Sequence, residues 1–211
     1  LGCGVPLWAS VGLIDVARIG RDMGVSWRGE RAAADLLADI VNRNFANHRL
    51  WQSDPDCLLL RDHFHYLNRD EIQSLAIFSA MTGGVIMTSD KLDEIPENSL
   101  RILADFASKT KKQCRFLQLE KLNLSQPVDL QRLSIQVRHS LCNHEFIEAI
   151  YLFNISDTPI EAQIDLQEIC PHQNNLWTNW QDGSRFSNTE ESFYFQLAPH
   201  QGLLLISDLM D

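Results

Sequence analysis

Apolar residues in the first half of the chain come as short runs alternating with stretches of helical spacing. Leu13 to Ile19 reads as a buried strand, and Glu30 to His48 as a helix with Leu36, Leu37, Ile40, Val41 and Phe45 on one stripe. Leu50 to Ser53 offers a second strand, ended by Asp54, Pro55 and Asp56, because proline is a poor continuation of a central ladder. Asn68 followed by Glu71 predicts a capping box. The helix it opens carries Ile72, Leu75, Ala76 and Ser79 as far as the Gly83–Gly84 stop. Val85 to Ser89 is the next predicted strand, and Pro96 opens a helix with Leu100, Leu103, Ala104 and Ala107 that runs to about Ser108.

After Lys112 the period changes to two. Leu133, Ile135 and Val137 alternate, as do Ile147, Ala149, Tyr151 and Phe153, then Ile160, Ala162 and Ile164, then Phe193, Phe195 and Leu197. Asn154 to Pro159 and the pair Asp182, Gly183 supply turns. Strand followed by helix, repeated, implies parallel strands joined by crossovers, and the period-two half implies an all-β antiparallel sandwich. The division expected from this change is 1–112 and 113–211.

Polar residues gather just beyond the predicted strand ends: Arg18 and Asp22, then Asp54 and Asp56, then Ser89 and Asp90. That edge of a parallel sheet is where ligands bind. If the extended conformation holds through Asp22, the even spacing puts Arg18 and Asp22 on one face, which suits a pocket and equally an ordinary ion pair.

The formal charge of -10 argues against nucleic acid or an anionic membrane as partner. The basic run from Lys109 to Arg115 reads as a solvated helix end and linker. Cys3, Cys57, Cys114, Cys142 and Cys170 are odd in number and lack CxxC spacing, so neither a zinc ribbon nor a disulfide framework is indicated. A reducing, cytoplasmic setting follows, and no apolar run reaches membrane-spanning length. The chain opens at Leu1, in LGCGVPL, as if inside a strand and its loop, and is expected to be a piece of a longer protein.

No GxSxG elbow, GxxxxGK[ST] loop or HExxH helix occurs. His63 and His65 could share a strand face around Phe64 but have no third metal ligand nearby, and Gly2, Cys3 and Gly4 match a phosphate loop only in composition. The carboxylates Asp22, Asp54, Asp56 and Asp90, with Cys3, Arg18 and Trp27, form the mixture that binds sugars: charged groups take hydroxyls and an aromatic face covers the apolar side of the ring.

The segments LGCGVPLWASVGLIDVARIGRD, HRLWQSDPDCLLLRD and GGVIMTSDKL, in this order and spacing, resemble glycoside hydrolase family 36, the melibiase-type α-galactosidases. The likeness covers Leu1 to Ala107, and NISDTPIEAQIDL and FQLAPHQGLLLI resemble the sandwich that follows the barrel in many α-glycosidases. The resemblance implies a fold of class α/β, a partial (β/α)8 TIM barrel of strands five to eight followed by the antiparallel sandwich. It also implies a retaining mechanism without metal or organic cofactor. Asp22 would be the general acid/base, and Arg18 would contact the nucleophile side or the sugar hydroxyls. Cys3 and Asp56 would line the sugar, and Trp27 would follow the acid/base loop.

Two positions depart from the family pattern, Arg21 where proline is usual and Ser53 where asparagine is common. The nucleophile of the resemblance would lie upstream, so the chain alone is expected to be inactive. It would also need its missing N-terminal half, or self-association, to cover open sheet edges. The substrate implied is an α-galactoside oligosaccharide. Alternatives are a raffinose-synthase-like or α-N-acetylgalactosaminidase-like relative, a non-catalytic sugar-binding remnant, or an α/β domain with an unrelated ligand.

Overall fold

The computed structural model describes residues 8–106, 112–117, 132–140, 147–169, 176–187 and 192–208. The chain divides into two units, Leu1–Arg115 and Phe116–Asp211.

In the first unit, strand β1 (Val16–Arg18) pairs in parallel with β2 (Gln52–Asp54), and the register sets Ala17 beside Ser53 and Arg18 beside Asp54. Backbone bonds extend the pair at both ends, from Gln52 to Asp15 at 2.8 Å and from Ile19 to Asp54 at 2.9 Å. The strand expected over Leu13 to Ile19 is therefore shorter, and its first residue, Leu13, is exposed.

Helix α1 (Ala33–Arg43) buries Ala33, Leu36, Leu37 and Ile40. Val41 and Phe45 of the predicted stripe are exposed: Val41 falls at the margin of the face formed by Ala33, Leu36, Leu37 and Ile40, and Phe45 lies beyond the end of the helix. The chain tightens to a 3-10 turn over Asn44–Ala46, where Asn44 donates its side-chain amide to the Cys114 carbonyl at 3.2 Å.

Helix α2 (Arg69–Met81) opens on the predicted capping box: Asn68 Oδ1 accepts from Glu71 N at 2.9 Å, and Glu71 Oε2 accepts from Asn68 N at 2.8 Å. It ends at Thr82, after which a Cβ at Gly84 would sit 2.1 Å from the Ser53 carbonyl oxygen. Only glycine lets the chain return this close to β2.

The returning segment was expected to be a strand over Val85 to Ser89, but it forms no ladder. It is held by separate bonds, Val85 N to Ser53 O, Leu58 N to Met87 O and Thr88 Oγ1 to Leu58 O. Pro55 and the left-handed Asp56 (φ 83°) turn the neighbouring chain away and interrupt pairing. Helix α3 (Glu97–Phe106) follows Pro96 and buries Ile102 and Phe106; its expected continuation to Ser108 lies outside the described residues.

Beyond these elements come β3 (Lys112–Phe116), β4 (Leu133–Ser140), β5 (Ile147–Asn154), β6 (Ile160–Ile164), the short α4 (Leu166–Ile169), β7 (Leu176–Asn179), β8 (Arg185–Ser187), β9 (Phe193–Leu197) and β10 (Gly202–Asp208). One sheet runs β3-β4-β5-β10-β7-β8, with antiparallel registers from β4 to β8, and a second is the antiparallel pair β6-β9. Ile135, Val137, Ile150, Leu152, Trp177 and Leu205 of the large sheet share one core with Ile160, Ala162, Ile164, Phe195 and Leu197 of the small one, which makes a sandwich.

Strand β5 is buried on both faces. The alternation read from Ala149, Tyr151 and Phe153 marks one covered face, while Ile150 and Leu152 fill the sandwich core.

Candidate active site

Pairing β1 with β2 in parallel brings their carboxyl ends together, and the site begins there. Arg18 Nε donates to Asp54 Oδ2 at 3.0 Å, Nη2 lies 2.8 Å from Asp56 Oδ1, and Nη1 donates to Asp22 Oδ1 at 3.4 Å. One guanidinium thus meets three carboxylates. The side chains of Arg18, Asp54 and Asp56 are 14 %, 9 % and 9 % exposed, whereas that of Asp22 is 84 % exposed. Burial works against the Arg18 charge, but the hydrogen bond to Asp54 and the charges of Asp56 and Asp54 outweigh it and hold its pKa above the ordinary arginine value.

The loops are fastened by the same carboxylates. Asp54 Oδ1 accepts from Asp56 N at 2.9 Å, a turn closed over Pro55. Asp56 accepts from Cys57 N at 2.7 Å, and its other oxygen takes the Met23 amide. The acidic loop after β2 therefore grips the loop after β1 one residue beyond Asp22.

This corrects the expected geometry. The strand stops at Arg18, so Asp22 reaches the guanidinium through a loop held by Asp56 and not through alternation along one strand. Within the described residues the cluster is an open rim, with Asp22 facing water, not an enclosed hollow.

Other predicted members separate. Cys3 lies outside the described residues. Trp27 is 6 % exposed, so it offers little ring face to a ligand. Asp90 is committed elsewhere, accepting from the Leu60 and Arg61 amides at 2.7 and 2.9 Å and pairing with the Arg61 guanidinium. Burial pushes the Asp90 pKa up, but those two amides and Arg61 more than offset it and hold the carboxyl below its usual range. His63 and His65 do not share a strand face: their segment is a loop with Phe64 in the left-handed region, φ 59°. Among the described residues no group of three or more His, Cys, Asp or Glu is placed to hold a metal ion. No helix among them is long and apolar enough to cross a membrane.

Two features escaped sequence reasoning. Arg21, the departure beside Asp22, points at α1: its Nε donates to Asp39 Oδ2 at 2.8 Å, its backbone N to the same oxygen at 3.1 Å, and Nη1 to Asp35 Oδ2 at 3.1 Å. The signal available was the i, i+4 spacing of Asp35 and Asp39 on the predicted helix. The second is Cys57, whose thiol pKa is pushed up by burial and by the Asp56 charge, against the pull of a Ser89 hydrogen bond.

No family model matches the chain. Solved structures share its fold across both units. A β-L-arabinopyranosidase of family GH27 from Geobacillus stearothermophilus, in complex with arabinose, superposes at TM-score 0.75 with 14 % identity over 100 % of this chain and 50 % of its own. A Bacteroides fragilis protein provisionally named an α-galactosidase does so at 0.70, with 16 % identity over 93 % and 43 %. The α-galactosidase of Saccharomyces cerevisiae with raffinose reaches 0.59, with 10 % identity over 93 % and 60 %. The chain spans about half the length of the first two. It has part of the fold of α-galactosidase-type glycosidases, a partial barrel followed by a β-sandwich, and the likeness extends to GH27 and does not single out family 36.

Proposed function

We propose that this chain carries the acid/base side of a retaining glycosidase site for α-galactosides, such as the terminal galactose of raffinose-type oligosaccharides. The observation that carries the reading is the Arg18 guanidinium held between buried Asp54 and Asp56 with Asp22 at its open side. In this reading Asp22 gives its proton to the departing glycosidic oxygen while a second carboxylate attacks the anomeric carbon. Asp22 then takes a proton from the water that hydrolyses the glycosyl ester.

Arg18 and Asp56 hold sugar hydroxyls, Cys3 lines the sugar, and Trp27 supports the loop behind Asp22. The motifs GCG, RIGRD and SDPD support assignment to family 36 within this group. The neighbours described with raffinose and with arabinose support a pyranoside substrate. Asp54 and Asp56 are both engaged by Arg18, so the nucleophile comes from outside this cluster and the chain alone is catalytically silent.

Titration of the 211-residue chain with galactose, followed by NMR, tests the reading. The Arg18 Nε–H and Met23 amide signals should move with galactose and stay put with glucose, and the Met23 amide should stop responding in Arg18→Met. Galactose that leaves both signals unmoved refutes the sugar site. Turnover of a nitrophenyl α-galactoside by pure chain, lost in Asp22→Asn, refutes the silence.

A further inference from the structure

The loop from Arg61 to Leu67 is firmly built, yet it holds two aromatic rings in water. Phe64 is 84 % exposed and Tyr66 88 %. Phe64 also occupies the left-handed backbone region, which a bulky side chain adopts only when its surroundings impose it.

The surroundings here do. Arg61 pairs with Asp90 through its guanidinium and donates from Nε to the His63 carbonyl at 3.0 Å. His65 Nε2 lies 3.1 Å from the Arg61 carbonyl, and the His63 ring meets Phe64 edge-on with centroids 4.7 Å apart. Such bracing cuts the ordering cost when a ligand arrives.

The loop is also joined to the candidate active site. The Tyr66 amide donates to the Val25 carbonyl at 2.7 Å, three residues along the chain from Asp22. Around His63, the ring that Phe64 meets, stand two carboxylates, Asp62 at 73 % and Glu94 at 41 % side-chain exposure, each within 3.4 Å of the imidazole. The core of a protein-protein interface is depleted of acidic groups, whereas ring faces flanked by carboxylates suit a saccharide.

Resting on the glycosidase reading above, we propose that Phe64 and Tyr66 form a stacking platform for the sugar units beyond the bond at Asp22. Asp62 and Glu94 take hydroxyls of those units. The loop thereby selects oligosaccharides over galactose alone.

The test is aromatic and amide NMR on the full chain titrated with galactose and with raffinose, in wild type and in Phe64→Ala/Tyr66→Ala. Raffinose should bind about tenfold more tightly than galactose, a difference of about 1.4 kcal/mol, and shift both rings. The double variant should lose that preference while its galactose affinity stays within about twofold. Equal affinities in wild type, or a preference that survives in the double variant, overturn the platform and leave the site at Asp22 standing. Ring shifts without movement of the Met23 amide overturn the connection to Asp22, and no shift of any kind overturns both readings. If sedimentation shows a dimer that the double variant dissolves while raffinose preference persists, the rings serve a second copy and the proposal fails.

Discussion

Replacing Asp90 by Asn isolates the brace under this loop, and its consequence can be worked from the contacts. In the native chain one carboxylate oxygen receives the Leu60 and Arg61 amides, and the other meets the Arg61 guanidinium; the side chain is 1 % exposed. An asparagine placed with its oxygen toward the amides keeps both bonds as neutral ones, about half as strong as those to an ion. Its NH2 then faces Arg61, so the ion pair is lost and two donors meet. A hydrogen bond to a charged group contributes about 1.5–3 kcal/mol, and removing one partner of a buried pair costs up to about 5. Arg61 is 24 % exposed, so water recovers part of this. The expected loss is about 2 kcal/mol, roughly thirtyfold in the folding equilibrium.

The pH dependence gives the sharper check. The native pKa of Asp90 lies below its unfolded value of about 3.9, so its contribution is fully present above that value and fades as pH falls through the folded one. Urea unfolding followed by tryptophan fluorescence should show the Asn variant weaker by that amount at pH 7, with the gap beginning to close only as the pH falls below the unfolded value of about 3.9. A variant within about 0.3 kcal/mol of wild type at neutral pH, or a gap that stays constant into acid, would show that the carboxylate's charge does not hold the loop.

Two further outcomes follow from local contacts. Asn68→Ala removes the side-chain half of the capping box and should lower stability by about 1 kcal/mol in the same urea assay, with Asn68→Asp losing much less. The Cys57 thiol, held protonated by burial and Asp56, should react with iodoacetamide at neutral pH more slowly than free cysteine; mass spectrometry of the labelled peptide reads the rate.

What the sequence disclosed was whatever depended on neighbours along the chain. Asn68 and Glu71 are three positions apart, and both bonds of their box form. The polar strand ends were legible because chain direction alone puts Arg18 and Asp54 at one edge of a parallel pair.

Features set by distant partners were not. Asp90 follows a predicted strand just as Asp56 does, but its partners come from Leu60 and Arg61, and nothing local distinguishes the two. Asp22 was placed near Arg18 for an incorrect reason, since the contact needs the Asp56 carboxylate to hold Met23. Reading β5 by the alternation of Ile147, Ala149, Tyr151 and Phe153 alone missed its second covered face, although the apolar Ile150 and Leu152 mark that face in the sequence.

Phe64 separates two kinds of fitness. Its side chain packs little, and its backbone angle is one that glycine adopts without penalty, so a library screened only for surviving heat would be enriched in glycine or asparagine there. Such winners would look improved by every thermal criterion while having lost the ring that the proposed platform requires, so a screen for sturdier versions should read out oligosaccharide binding from its first round if that proposal is to be tested.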